Sequence, residues 1–222
     1  MKSKKTRERI LDASLELFNM RKASNVSTVQ ISAAMSISPG NLYYYYANKE
    51  DVIRCLWDER MSGKLDELLN GVADIKTAAD LLDFIKAGLE YMIEYRFFYT
   101  EISTLFINDE KLVEIYREAD KKMRDTFSDF VVRMGEDGKF IDHDESIRIM
   151  SIQNAVAVAE QMLDRYDVYL ERGITKEDFI GFSWLRIIST LVPVFEDGMR
   201  TEVREELKAR GYNKEKYLEL PR

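Results

Sequence analysis

Apolar residues recur at helical spacing along most of the chain. In 6–18, Ile10, Leu11, Ser14, Leu17 and Phe18 fall at i, i+1, i+4, i+7 and i+8, one stripe of an amphipathic helix. A polar break at 19–25 ends it. Ser27, followed three residues later by Gln30, forms a capping-box pattern, and Val29, Ile31, Ala34 and Met35 give a short second helix its apolar face. Met35-Ser36-Ile37-Ser38 leads out of that helix. Ser38-Pro39 then starts a third, because serine can cap and proline at the first helical position lacks an N–H that would have no partner there. The third helix is expected to reach about Tyr46. Asn48 and Asp51 open a longer one through Val52, Ile53, Leu56 and Trp57 towards Asn70-Gly71. Amphipathic stretches follow at 77–94, 97–107, 110–134, 144–171 and 176–196, with breaks at 135–138 and at Glu171-Arg172-Gly173.

With 3 Pro and 10 Gly in 222 residues there is little punctuation for strands and turns, so the expected class is all-α. The pattern predicts an N-terminal three-helix helix-turn-helix domain over 1–50 and a C-terminal helical bundle over 51–222, connected by a long helix at about 48–70. There is no internal repeat and no Gly-rich phosphate loop. The tail 199–222 is dense in charge and reads as a surface helix or a frayed end.

The net charge of −7 is unevenly placed. Residues 1–54 carry nine Lys/Arg against five acids, a balance of +4, so the remainder stands at −11. A basic head on an acidic body predicts that one end meets a polyanion. Lys2, Lys4 and Lys5 are candidates for a loose arm on that partner, or for an unstructured end. One cysteine, Cys55, cannot form an intrachain disulfide, and one Cys with one His, His143, cannot build a multi-ligand zinc site. No metal and no cofactor is expected. No secretory leader and no apolar run long enough for a membrane span is visible, so the expected location is the cytoplasm. One His and one Cys also leave no nucleophile-base set, and the carboxylates follow ordinary helix-surface spacing, which argues against an enzyme.

Two short helices joined by a tight turn, the second opening with small residues, describe a helix-turn-helix over 27–46. Ser38, Pro39 and Gly40 would let the second helix approach the major groove. Asn41 is the side chain best suited to a base edge, since its amide both donates to and accepts from adenine. Tyr43, Tyr44 and Tyr45 can reach phosphate oxygens or lie on thymine methyls and sugars, while Lys49 offers a charge to a neighbouring phosphate. Leu42 and Tyr46, four apart, are expected in the core.

The stretches TRERILDASLELF at 6–18, VSTVQISAAM at 26–35 and SPGNLYYYYANKE at 38–50 stand in the order and spacing of the DNA-binding domain that 6–57 resembles, that of the TetR family of regulators. By this resemblance Thr28, Pro39, Gly40, Asn41, Tyr43, Tyr44, Tyr45 and Lys49 occupy positions that touch double-stranded operator DNA. The sequence departs from the family where Lys22 and Ser36 stand in place of the usual glycines, and where Tyr45 and Tyr46 replace the commoner His and Phe.

The resemblance also implies a C-terminal domain that binds a small molecule between helices and forms a homodimer through its last two long helices. Aromatic residues crowd 84–130, and Tyr91, Tyr95, Phe98, Phe106 and Phe127 are the candidate contacts for an apolar or aromatic effector, although an aromatic stripe is core more often than pocket. On the last helices Met150, Asn154, Val158 and Gln161, with Trp184, Ile188 and Leu191, are the candidate dimer residues, or else complete the core. The function these features imply is a ligand-responsive transcriptional regulator, a repressor released from a palindromic operator. The alternative is a helical adaptor without sequence-specific DNA binding.

Overall fold

Helix starts follow the caps that the sequence displays. A computed structural model of the chain describes residues 2–141 and 144–212, with side chains from Lys5 onward. His143, residues 213–222 and the side chains of Lys2 and Lys4 lie outside the described residues. Within these, the helices are α1 (Lys2–Arg21), α2 (Thr28–Ala34), α3 (Pro39–Tyr43), α4 (Lys49–Leu56), α5 (Ser62–Gly71), α6 (Ala78–Glu94), α7 (Arg96–Asn108), α8 (Glu110–Glu136), α9 (Glu145–Leu163), α10 (Tyr166–Glu171), α11 (Lys176–Leu191) and α12 (Asp197–Ala209). Ser27, Ser38, Asn48, Asp144 and Thr175 each accept a backbone N–H at the start of a helix, satisfying donors that the helix itself cannot.

Three elements differ from the expected pattern. The third helix ends at Tyr43 instead of Tyr46: Tyr45 N–H and Tyr46 N–H both bond to Leu42 O, at 2.9 and 3.1 Å, tightening the last turn. The long helix is interrupted by a π-helical turn at Trp57–Met61, where Ser62 N–H reaches Trp57 O, five residues back. The stretch 144–171 breaks between Leu163 and Tyr166 into α9 and α10.

The chain folds as two compact units, and the first extends well past residue 50. It comprises the residues up to Asp66 together with Glu94–Asp120. Ile10, Leu11 and Phe18 from α1, Ile31, Leu42, Tyr46, Val52 and Leu56 form its core, and Phe18 meets Phe97 of α7 with ring centroids 5.4 Å apart. Each fully buried side chain of this size contributes about 1.5–3 kcal/mol relative to exposure.

The second unit comprises Glu67–Ile93 and the residues from Lys121 onward. In it α9 and α11 pack along each other, and α11 buries Phe179 to Trp184 without a gap. Phe140 and Phe195 form an isolated antiparallel bridge with stacked rings 5.6 Å apart. Arg133 donates to the carbonyls of Val72 and Ile75 at 2.7 and 2.6 Å, closing the segment that enters α6.

Candidate nucleic-acid interface

The geometry of the helix-turn-helix is set by backbone and cap bonds. Ser27 and Gln30 bond reciprocally: Gln30 N–H donates to Ser27 Oγ at 3.3 Å and Ser27 N–H to Gln30 Oε1 at 2.7 Å. At the other end of α2, Ile37 N–H reaches Ser32 O at 3.0 Å and Ser36 N–H reaches Ala33 O at 3.1 Å, a Schellman pair. That motif needs a left-handed residue, and Ser36 supplies it with φ of 55°. Asn41 N–H then donates to Ser38 Oγ at 3.2 Å to start α3.

These constraints fix which side chains of α3 face outward. Leu42 and Tyr46 are buried, as their spacing requires, and the Tyr46 hydroxyl donates to Arg7 O at 3.2 Å. The hydroxyl that distinguishes it from the commoner phenylalanine therefore has a partner, and burial pushes its pKa up. Pro39, Gly40 and Asn41 are exposed, Tyr44 is 77% exposed and Tyr43 51%. Tyr45 is half-buried, its ring edge-on to Tyr44 at 5.0 Å. Thr28 lies 2.9 Å from the Tyr43 hydroxyl, tying the start of α2 to α3. Pro39, Gly40, Asn41, Tyr43 and Tyr44 are thus exposed on α3 and its C-cap, Tyr45 follows half-buried, and Thr28 borders them through Tyr43.

Lys49 stands half-buried at the start of α4. Its Nζ donates to Ala23 O at 2.7 Å, beside an open depression of about 450 Å³ that Thr28, Tyr43 and Asn48 also line.

Sequence reasoning missed the group that holds the other side of this loop. Glu101 of α7 is buried, and its carboxylate accepts the backbone N–H of Ala23 together with the N–H and hydroxyl of Ser24. Asn19 adds two bonds to the same region, donating to Glu94 O at 2.8 Å and accepting from Phe97 N–H at 3.0 Å. Arg54 and Asp109 were missed as well; Arg54 Nη1 donates to Asp109 Oδ2 at 2.5 Å with Asp109 buried.

The effector candidates are divided between the units. Tyr95, Phe98 and Phe106 belong to the first, Tyr91 and Phe127 to the second. Phe98 stacks on Trp57 at 5.1 Å, and Tyr116 meets Trp57, Phe98 and Phe106 at 5.2, 5.7 and 5.1 Å. Tyr95 is buried, with its hydroxyl donating to Arg60 O at 3.0 Å. In the second unit Phe127 meets Phe84 edge-on at 6.2 Å, and Tyr91 is buried.

The dimer candidates also separate into two groups. On α9, Met150, Asn154 and Gln161 are exposed and Val158 half-buried, on one face with the exposed Ile147. Trp184, Ile188 and Leu191 are buried within the single chain. Trp184 Nε1 donates to Leu82 O at 3.0 Å and its ring packs on Tyr212 at 4.5 Å, so this helix spends its apolar face on its own unit. Among the described residues no helix is long and apolar enough to cross a membrane. No group of three or more His, Cys, Asp or Glu that could hold a metal occurs among them.

Comparison with known proteins agrees with this geometry. The family model for bacterial regulatory proteins of the tetR family matches residues 10–55, and that for the TetR bacterial transcriptional repressor matches 60–203. A TetR-family transcriptional regulator from Marinobacter aquaeolei VT8 is similar at 25% identity and TM-score 0.73, over 92% of this chain and 98% of that one. The ketosteroid transcriptional regulator KstR2 of Mycobacterium tuberculosis shares the fold at 18% identity and TM-score 0.66, over 86% and 96%. So does a regulator from Saccharomonospora viridis in complex with choline, at 14% identity and TM-score 0.66, over 87% and 99%. No curated protein matches the sequence. With both family models aligned in order on one chain, the protein belongs to the TetR family of bacterial transcriptional regulators.

Proposed function

We propose that the protein is a homodimeric repressor that places the α3 surface of each copy in successive major grooves of a palindromic operator, and leaves it when a small apolar or aromatic molecule binds. The single observation that carries the DNA half is the outward display of Asn41, Tyr43 and Tyr44 on a helix whose other face, Leu42 and Tyr46, is locked in the core. Two copies are needed because one short helix offers few contacts, and a two-fold pair doubles them on a symmetric site.

The release half draws on the clamp at Glu101. Helix α7 carries Phe98 and Phe106 of the aromatic cluster and, through Glu101 and Asn19, grips the segment before α2. A molecule that favours a different arrangement of α7 would shift the DNA-binding helices by its differential affinity for the two arrangements. Related folds solved with triclosan or choline support small, largely apolar or cationic organic molecules as the effector class.

The test is gel-shift binding of the purified protein to its own upstream intergenic DNA at two salt concentrations, beside the Asn41→Ala/Tyr44→Ala variant. A specific shift that the variant lacks, and that an apolar effector abolishes, is the expected result. Binding that is equal in the variant, or equal on unrelated DNA, would sink the operator reading.

A further inference from the structure

The segment from Ala23 to Asn48, which holds the whole helix-turn-helix, contains no Asp, Glu, Lys, Arg or His. Its outward surface is made of tyrosine rings, the four amides of Asn25, Gln30, Asn41 and Asn48, and small residues. The flanking cations do not fill the gap: Lys49 is bound to Ala23 O, while Arg21 and Lys22 stand exposed at and just past the end of α1, outside α2 and α3. Gln30 commits its Oε1 to the Ser27 N–H, Asn25 donates to Arg21 O, and Asn48 Oδ1 accepts the Asp51 N–H to cap α4. Asn41 is therefore the amide left to read a base.

The four base pairs differ in what they ask of such a surface. Guanine shows two acceptors, N7 and O6, and the side chains that bind both at once are Arg and Lys. Adenine shows an acceptor beside a donor, which suits Asn, and its partner thymine adds a methyl group that apolar carbon can cover. On α3 and its C-cap the exposed carbon is Tyr43 and Tyr44, with Val29 of α2 exposed on the same motif. The Tyr43 hydroxyl is already engaged with Thr28 at 2.9 Å, leaving its ring as the part on offer.

Resting on the operator-binding reading above, we infer that the recognition helix selects A·T pairs: Asn41 reads an adenine, and the tyrosine rings, led by Tyr44, cover thymine methyls at adjacent steps. The half-site is then A·T-rich where α3 lies, and guanine is disfavoured there because the motif has no bidentate donor to offer its paired acceptors.

Selection of binding sites by the full-length protein from a random duplex pool tests this. The selection is repeated with Asn41→Arg, which installs a guanine reader and thereby marks the base pair under residue 41 as the one whose preference changes. The wild-type protein should enrich A·T at that pair and its neighbours, and the variant should move the marked pair to G·C. Replacing the selected thymines by deoxyuridine removes only the methyl groups, and should weaken wild-type binding about fourfold per contacted methyl. The same replacement should leave Tyr44→Ala nearly unaffected. Enrichment of G·C by the wild-type protein at the marked pair, or no effect of deoxyuridine, would overturn the inference while leaving operator binding intact. A pool that yields no enriched sequence would overturn operator binding itself, and the inference with it.

Discussion

The Glu101 carboxylate caps the loop at Ser24 from 77 residues away, accepting both the Ser24 hydroxyl and its backbone N–H. It also takes the N–H of Ala23, a fully buried residue. A buried charge is tolerated here because several donors surround it, and those donors in turn depend on it.

Glu101→Ala should therefore cost about 2–3 kcal/mol, because it strands buried donors without giving them water. Glu101→Gln keeps one acceptor oxygen and should cost less, about 1 kcal/mol. Urea unfolding measures the stability and gel shift the operator affinity. An alanine variant with the wild-type midpoint would show that the clamp contributes nothing.

The backbone at Lys22 and Ser36 runs against the residue types found there. Lys22 has φ of 66° with ψ of 141°, and Ser36 has φ of 55°. A Cβ at positive φ costs about 1–2 kcal/mol, and glycine lacks it. Lys22→Gly and Ser36→Gly should each raise stability by about 1 kcal/mol, or about 2–4 °C in a thermal melt of a chain this size. A glycine substitution ordinarily lowers stability, so the sign alone decides the matter.

The same two positions mark how far the sequence could be read. The caps at Ser27, Ser38 and Asn48, and the burial of Leu42 and Tyr46, follow from spacing and side-chain chemistry, and so did the outward placement of Asn41 and Tyr44. Glu101 left a signal, an acid among Phe97, Phe98 and Leu105 on the buried stripe of α7, but its partners are two backbone N–H groups and one serine hydroxyl far away in sequence, a pairing that no local side-chain pattern encodes. The π-helical turn at Trp57–Met61 and the break after Leu163 have neither Gly nor Pro to announce them. Trp184, Ile188 and Leu191 form an apolar face in either reading, and periodicity does not say whether a face meets its own chain or another.

Asp109 has two tasks that substitution can separate. It accepts Arg54 Nη1 at 2.5 Å, and its Oδ1 caps α8 by accepting Lys111 N–H at 3.1 Å and Leu112 N–H at 3.3 Å. Asparagine serves nearly as well as aspartate at a cap, so Asp109→Asn removes mainly the ion pair and should cost about 1 kcal/mol, the Arg54 side being partly open to solvent. Asp109→Ala removes both and should cost about 2–3 kcal/mol. A double-mutant cycle with Arg54→Gln should return a coupling energy for the aspartate and almost none once asparagine is in place.

Asp80 predicts a response to acid. The Thr77 hydroxyl at 2.8 Å, with the backbone N–H groups of Lys76 and Thr77, holds its carboxylate below the usual range. A depressed folded pKa means that the contribution to stability is complete above the unfolded value of about 3.9 and is lost as pH falls through the folded one. Melting temperatures recorded from neutral pH into this acid window should fall less steeply for Asp80→Asn than for the wild type. Parallel curves would mean that these three donors do not distinguish the charged carboxylate.

Along α9, Ile147, Met150, Asn154, Val158 and Gln161 form a stripe that the second unit leaves uncovered or only half covered, with Met150 58% exposed. Its mixed character suits a surface that pairs with its own copy across a two-fold axis, where each residue meets its symmetry mate or a near neighbour. Charge placed on the axis meets the same charge from the partner, so repulsion adds to the loss of apolar contact. Met150→Glu with Val158→Glu should leave the helical circular dichroism of the chain unchanged, since Met150 points away from the core and Val158 stands at its edge. Sedimentation velocity should then show a monomer for the variant and a dimer for the wild type. Operator affinity should drop by more than the loss of one half-site's contacts on a half-length duplex, because the gain from binding two linked heads disappears together with the dimer. A variant that still sediments as a dimer would move the interface off this face of α9.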